Sequence, residues 1–489
     1  MFSLLSFLKQ KQYRIVILIN VVFALILLAY LNFSGNIAHR NTVYIFIAPV
    51  FLVILFISKN VLIKITLPIF FLIFIENIFI SAIPVAKMFR VGGAMIFALT
   101  AIISIIYHQK SDKLPRFMAV QWVLYFTAVL MSFVLGASVS ENLLNENVEA
   151  LFLYYVEFLL YFYLGYLAFN DIEMMKKFLF IIVLMGLLSA AGHIFSMLTG
   201  INLESARGAE AVASTRDLSQ GRWRYGGFFG NVNTMSAFYV MLVPASFYIA
   251  VTDRSYLKKV ISLITIIAMI ISVLLGASRG GLLFILVNLL VSLLFIRIKI
   301  KNIVFSVIAI SILIYVLNML LDQFFLDYLT RAINEMVRKG TDSPREQIWY
   351  YTWLIILEHP FGLGLSTTNY YTVLQQYGNL FWANPHNMYL EQITQAGFAG
   401  LFLFLSIVIR ILYRNIKSFK NTENQAVKQI LPITAVMIIG FLLMGFTEPI
   451  FRNQYKLNHL FAIILGISLS VTFRNTNMGL KKKEEQKIN

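Results

Sequence analysis

The sequence contains no cysteine in 489 residues. Disulfide staples, thiolate nucleophiles and cysteine-ligated zinc are therefore excluded. Charge is also scarce. Asp, Glu, Lys and Arg make up 13% of the chain, about half their usual share in soluble domains. Acidic residues are the scarcer kind, 23 against 40 basic ones. Nucleotide and haem motifs are lacking, and short runs such as Gly362-Leu-Gly364 are too brief for a phosphate-cradling loop. No cleavable signal peptide is expected. The apolar run after the basic segment Met1 to Arg14 is long enough to span a membrane and has no small-residue cleavage site.

Apolar side chains are what the chain has in excess. They are 59% of the residues, against roughly 45–50% in soluble domains. The net charge of +17 does not indicate a nucleic-acid partner, because the cations are scattered in short clusters between apolar runs. A helix needs about 20 apolar residues to cross the hydrocarbon core. Such runs fall near 15–33, 42–58, 62–82, 91–107, 117–137, 148–169, 178–199, 232–251, 260–277, 280–296, 303–320, 391–409, 430–447 and 456–473. The expected fold is all-α, a polytopic membrane protein of about 12–14 transmembrane helices with a large loop region on the outer face. It divides into N-terminal transmembrane helices (1–199), motif-bearing helices with a first outer loop (200–320), a large outer loop (321–390), and C-terminal helices with a basic tail (391–489).

Lys and Arg set the orientation. With the N-terminus inside, the inside segments hold 26 of the 40 Lys and Arg residues, and both termini are cytoplasmic. The two residue types also separate. Inside, 19 of the 26 are Lys; outside, 11 of the 14 are Arg. Topology alone does not distinguish them, whereas Arg is the better bidentate donor for phosphate and carboxylate. An Arg-rich outer face suits a phosphate-bearing ligand; pairing with outer carboxylates or lipid headgroups is the alternative for any single Arg.

Two outer loops are long. In 200–231 the dense part is Arg222, Trp223, Arg224 and Tyr225, then Gly226, Gly227, Gly230, Asn231 and Asn233. Glycines permit close backbone approach, and the start of the next span offers free N–H groups to an anion. A glycine-rich turn with an interfacial aromatic belt would look the same. In 321–390, Ser343-Pro344 with Glu346 reads as a helix start, running to about Glu358 before His359-Pro360. Trp349, Trp353, Leu354 and Ile356 suggest an amphipathic helix lying on the outer leaflet. The short turn Gly276 to Gly281 between two spans holds one charge, Arg279, close to hydrocarbon. A bound phosphate, an acidic partner or snorkelling would each accommodate it.

Together these segments resemble the O-antigen ligase and O-antigen polymerase superfamily. The matching pieces are Arg224-Tyr-Gly-Gly-Phe-Phe-Gly-Asn231-Val-Asn233, Ser278-Arg279-Gly280-Gly281, Arg345-Glu-Gln-Ile-Trp349 with His359-Pro360-Phe-Gly362-Leu-Gly364, and Pro385-His386-Asn387-Met-Tyr-Leu390 with Gly397-Phe-Ala-Gly400. The resemblance covers about residues 200–410. It implies a membrane glycosyltransferase similar to the C-type enzymes, with its site on the outer face of the cytoplasmic membrane. A glycan would pass from undecaprenyl pyrophosphate to an acceptor sugar hydroxyl, with inversion and with no bound metal or other cofactor.

Such a reaction must neutralise the charge that develops on the departing diphosphate, and fixed cations can do so. The resemblance places the pyrophosphate-contacting arginines at Arg224 and Arg279, with Arg222 and Arg345 next; Arg345 could instead only orient the loop helix. Asn231, Asn233 and Asn387 complete the expected substrate-binding set. The proton of the acceptor hydroxyl falls to His386, which a purely structural loop histidine would also explain. Asp342, Glu346, Glu391 and Glu448 are rival bases, and Glu448 could simply pair with an arginine. His193, within a span, reads as a buried, partnered histidine.

The expected partners are the lipid-linked oligosaccharide, the acceptor glycan and the membrane lipid, with a flippase and a chain-length regulator beside them and no nucleic acid. The Lys-, Ile- and Asn-rich composition and the basic tail Lys481 to Lys483 lean toward a low-GC Gram-positive source, hence toward polymerisation of a capsular or teichuronic-acid-like polymer. Ligation to a lipid A core and flipping of a lipid-linked oligosaccharide are the alternatives.

Overall fold

The structure is a computed structural model. It describes residues 61–70, 86–108, 114–137, 144–168, 172–199, 226–229, 231–276, 278–295, 345–377, 384–451 and 455–488, plus isolated positions between 52 and 74 and two short pieces at 216–217 and 222–223. The described chain is helical except for one two-residue antiparallel pair, β1 (Arg216–Asp217) with β2 (Arg222–Trp223). The helices are α1 (Val61–Phe70), α2 (Ala86–His108), α3 (Arg116–Ala137), α4 (Leu144–Ala150, continuing as Glu157–Ala168), α5 (Ile172–Thr199), α6 (Val232–Thr252), α7 (Tyr256–Leu275), α8 (Arg279–Phe295), α9 (Arg345–Glu358), α10 (Thr367–Gln376), α11 (Met388–Asn421), α12 (Gln425–Gly445) and α13 (Tyr455–Ile488).

Among the described residues eight helices are long and apolar enough to cross a membrane, and three shorter apolar ones are Val61–Phe70, Met95–Tyr107 and Arg279–Leu294. These eleven fall on eleven of the expected spans. The expected spans 15–33 and 303–320, and nearly all of 42–58, lie outside the described residues. Outward-facing Val123, Val134, Leu290 and Phe402 are apolar and exposed, as a lipid-facing surface requires.

Small residues set the closest crossing. Gly165 of α4 and Gly466 of α13 let the two backbones approach, and a Cβ on either would strike the other helix. The aromatic core beside it includes Phe441 stacked on Phe461, with ring centroids 3.9 Å apart. Within α4 the chain widens into a π-helical turn, Leu151–Val156. The freed carbonyls are taken from α13: His459 Nε2 lies 3.2 Å from Leu153 O, and Asn458 Nδ2 donates to Tyr154 O over 3.4 Å. His459 also faces Glu157 at 3.2 Å and stacks on Tyr161, with both His459 and Glu157 fully buried. The pair thus serves the crossing of α4 and α13.

The segment after α9 does not simply project from the bundle. At Gly397 (φ 70°) α11 breaks, which leaves backbone groups unpaired within the helix. The 360–366 loop and Ser132 of α3 fill them. Leu363 N donates to Thr394 O (2.7 Å), Phe398 N donates to Pro360 O (3.1 Å), and Ser132 Oγ donates to Gln395 O. Gly362 and Gly364 have φ near 90°, the left-handed region open to glycine. At the N-terminal end of α4, Asn147 Oδ1 accepts from Leu365 N (2.6 Å) and Ser366 N (2.9 Å).

Helix α9 forms where the sequence predicts it, ending at Glu358 as expected; Ser343 and Pro344 lie outside the described residues. Its faces differ from an amphipathic helix. Ile348, Thr352, Ile355 and Ile356 are buried, while Tyr350, Trp353 and Leu357 are exposed. Apolar side chains thus lie on both sides, because α9 packs on α11 and α10 on one side and presents apolar groups on the other.

Candidate functional site

Four helices begin at the same place. Asn231 caps α6 by accepting from Asn233 N at 2.8 Å. Asn387 caps α11, its Oδ1 accepting from Tyr389 N (2.9 Å) and Leu390 N (3.1 Å). Ser278 and Arg279 open α8, and Arg345 opens α9. The positive ends of the helix dipoles therefore converge. What they converge on is the turn after α12, residues Phe446 to Phe451.

Glu448 is the node of that turn. It is 6% exposed, and a carboxylate so buried requires donors. Asn233 Nδ2 donates to Oε1 at 2.7 Å and Arg345 NH2 donates to the same oxygen at 3.1 Å. The second oxygen, Oε2, lies 3.9 Å from His386 Nδ1. Arg345 NH1 also donates to Thr447 O at 3.1 Å, and Asn387 Nδ2 donates to Phe446 O at 3.3 Å. Ser278 Oγ closes the set by donating to Asn233 Oδ1 at 3.0 Å.

Glycine allows this closeness. A Cβ on Gly280 would lie 3.1 Å from Thr447 Oγ1, and one on Gly281 would collide with Ser236 of α6. The first turn of α8 therefore lies against both α6 and the Thr447 turn, with the Arg279 side chain exposed beside them.

His386 has φ 48°, and among the described residues it is the one non-glycine with positive φ. Such a conformation is costly for most side chains and tends to occur at functional sites. It is held on both sides: His386 N donates to Asn384 Oδ1 at 3.0 Å, and Trp349 Nε1 donates to Pro385 O at 2.8 Å. One turn into α11 the Glu391 side chain is buried. Nearby, burial raises the Tyr370 phenol above its ordinary range; its hydrogen bond with Thr352 opposes this and the Glu391 charge adds to it.

The structure thus brings Asn231, Asn233, Arg279, Arg345, His386 and Asn387 together from four separate stretches of sequence. Arg224 lies outside the described residues, as does the rival carboxylate Asp342. Arg222 is described only as backbone, in β2. The glycines after it behave as expected: Gly227 has φ 58° and packs on the buried His193, where a Cβ would lie 3.2 Å away. Phe228 meets Phe74 edge-on and Phe229 packs on Phe238, which fixes the approach to α6. Glu346 and His359 are exposed. Among the described residues no three His, Asp or Glu side chains gather as a metal site would require.

The sequence offers Glu448 as a rival base or an arginine's partner, and the structure pairs it with Arg345; its central place is not visible in the sequence. Thr447-Glu448-Pro449 is a short turn, and only the meeting of α6, α9 and α11 gives its carboxylate three partners. Its one signal is a carboxylate at the very end of a span.

Residues 234–405 match the model of the O-antigen ligase family. The match includes α8 with Arg279, α9 with Arg345, and His386 with Asn387; Asn231 and Asn233 lie just before it, and Glu448 lies well beyond its end. No curated protein matches the chain.

Proposed function

We propose that this chain, whose residues 234–405 match the O-antigen ligase family, is a polymerase of lipid-linked repeat units of a cell-wall or capsular polysaccharide. A glycan moves from undecaprenyl pyrophosphate to a sugar hydroxyl on the outer face of the cytoplasmic membrane. The observation that carries the reading is the gathering of His386, Arg279 and four helix starts around Glu448.

The chemistry needs three things of the protein. The acceptor hydroxyl must lose its proton as its oxygen bonds the anomeric carbon. The bond from that carbon to the pyrophosphate oxygen must break from the opposite side, inverting the centre. The released lipid pyrophosphate must have its charge met. His386 receives the proton. With Glu448 at Nδ1, the imidazole has a reason to carry its hydrogen there and to present Nε2 as the acceptor. Arg279 and Arg224, with Arg222 and the converging helix starts, meet the diphosphate. No metal enters this scheme, since fixed cations supply the charge.

Arg345, Asn233 and Asn387, expected as substrate contacts, also shape the site itself. Their donors go to Glu448, Thr447 and Phe446, so they hold the site's shape. Asn231 does so as a cap. Orientation rests on the Lys-to-Arg asymmetry: the lysine-rich ends face the cytoplasm with both termini. A flippase supplying the donor and a regulator of chain length are the expected protein partners.

Ligation is the second reading, favoured by the description of the matching family as O-antigen ligase. The test is purified protein in lipid nanodiscs with a synthetic undecaprenyl-pyrophosphate-linked repeat. Chain growth without another acceptor supports the polymerase. Turnover only with a lipid A core acceptor makes it a ligase. Lipid translocation without glycosidic-bond formation overturns both.

A further inference from the structure

A cavity of about 650 Å³ lies at the other end of the bundle, between α6, α8, α11 and α12. Its position follows from chain direction. Helix α6 starts at the Glu448 cluster and its 21 residues, rising 1.5 Å each, put Thr252 about 30 Å away. Helix α11 runs the same way to Asn421 and α12 returns from Gln425, so the cavity mouth lies at the opposite membrane surface.

The cavity has two kinds of wall. Its depth is apolar, with the buried Pro244, Pro432 and Val436. The two prolines sit inside α6 and α12 and carry no N–H. The rim is cationic and hydrogen-bonding. Lys420 is exposed and Lys428 half-buried, and among the described residues neither is in an ion pair. Gln429 is held by Tyr248 Oη, which donates to its Oε1 at 3.0 Å. Asp253, the acid at the end of α6, is taken by Lys258 at 3.5 Å. Arg254, Lys259 and Lys417 add positive charge at the same end.

A free anion has no use for the apolar depth, and an uncharged chain has no use for the lysines. A phosphate headgroup with an attached hydrocarbon chain uses both. Basic pockets between membrane helices at the interface are suited to such headgroups. We propose that this cavity binds an anionic phospholipid of the leaflet opposite the Glu448 site, its phosphate on Lys420 and Lys428 and a chain between Pro244 and Pro432. This site is separate from the transfer chemistry and stands or falls without it.

The test uses the full chain, purified and incubated with mixed micelles of phosphatidylglycerol or phosphatidylcholine, with retained lipid counted by native mass spectrometry. Phosphatidylglycerol should be retained in preference to phosphatidylcholine. The variant Lys420→Gln/Lys428→Gln should bind phosphatidylglycerol about tenfold or more weakly. Ser292→Phe, which fills the apolar depth and leaves the charges in place, should weaken it too. Three results overturn the proposal: equal retention of both lipids, undiminished retention by the double lysine variant, or displacement of the lipid by inorganic phosphate alone, which would make it a free-anion site.

Discussion

Glu448 Oε2 lies 3.9 Å from His386 Nδ1, while Oε1 of the same carboxylate is held by Arg345 and Asn233. One oxygen is thus fixed by the scaffold and the other is left facing the imidazole. Replacing the carboxylate by an amide tests that division. Glu448→Gln keeps the shape and removes the charge. Polymer formation should fall by about 10- to 100-fold with normal membrane insertion, the usual effect of losing a partner that orients a reacting group. Full activity in Glu448→Gln would remove the orienting role.

His386→Ala and Arg279→Ala should each cut turnover strongly, by about 100-fold or more, since one removes the proton acceptor and the other a fixed cation. Arg279→Lys should recover only part of the loss, because a point charge does not reproduce a planar fork. Glycan chain length on gels, read beside protein level in membranes, separates chemistry from folding. Normal polymer in both alanine variants would sink the assignment.

Glu157 and His459 should behave as a structural pair. Removing one partner of a fully buried polar pair costs about 1–3 kcal/mol, whereas replacing both with apolar groups costs far less. His459→Leu should therefore lower the thermal midpoint more than Glu157→Leu/His459→Leu does. If the double variant is the less stable, the pair is not coupled in this way.

Gly364→Ala should destabilise the protein by more than about 1 kcal/mol. Its φ of 91° suits glycine alone, and its backbone lies against Gly136 of α3. The readout is the melting midpoint in detergent; an unchanged midpoint would mean that the loop is not seated on α3.

Orientation can be read directly, because the chain has no cysteine to remove. A single cysteine introduced within 200–231 should react with an impermeant maleimide on intact cells. One near Lys417 should react only after permeabilisation. The reverse pattern would invert the topology.

Much of this molecule was legible in the sequence, and the reasons are specific. Spans such as 178–199 and 232–251 are unbroken apolar runs, so length alone locates α5 and α6. Asn231 and Asn387 read in the sequence as substrate contacts and not as helix caps, although the caps they form are local, each bonding backbone within three residues. Arg345 stands at the start of a helix the sequence predicts. What escaped is long-range. Glu448 acquires meaning only from Asn233 and Arg345, far away in sequence. The break at Gly397 is marked locally only by the glycine itself, which many helices accommodate without breaking. The Glu157–His459 pair joins two helices that periodicity places but cannot pair. Faces fared worse than spans: α9 was found, but its apolar side chains lie on both sides.

The break in α11 ties two movements together. The half-helix from Met388 to Ala396 begins beside His386 and ends at Gly397, and Leu363 grips its last turn through Thr394 O. It is a short lever with the histidine at one tip and the loop at the other. A mutation that slackens residues 360–366 should therefore blur the position of His386 from nine residues' remove, about 14 Å along the helix.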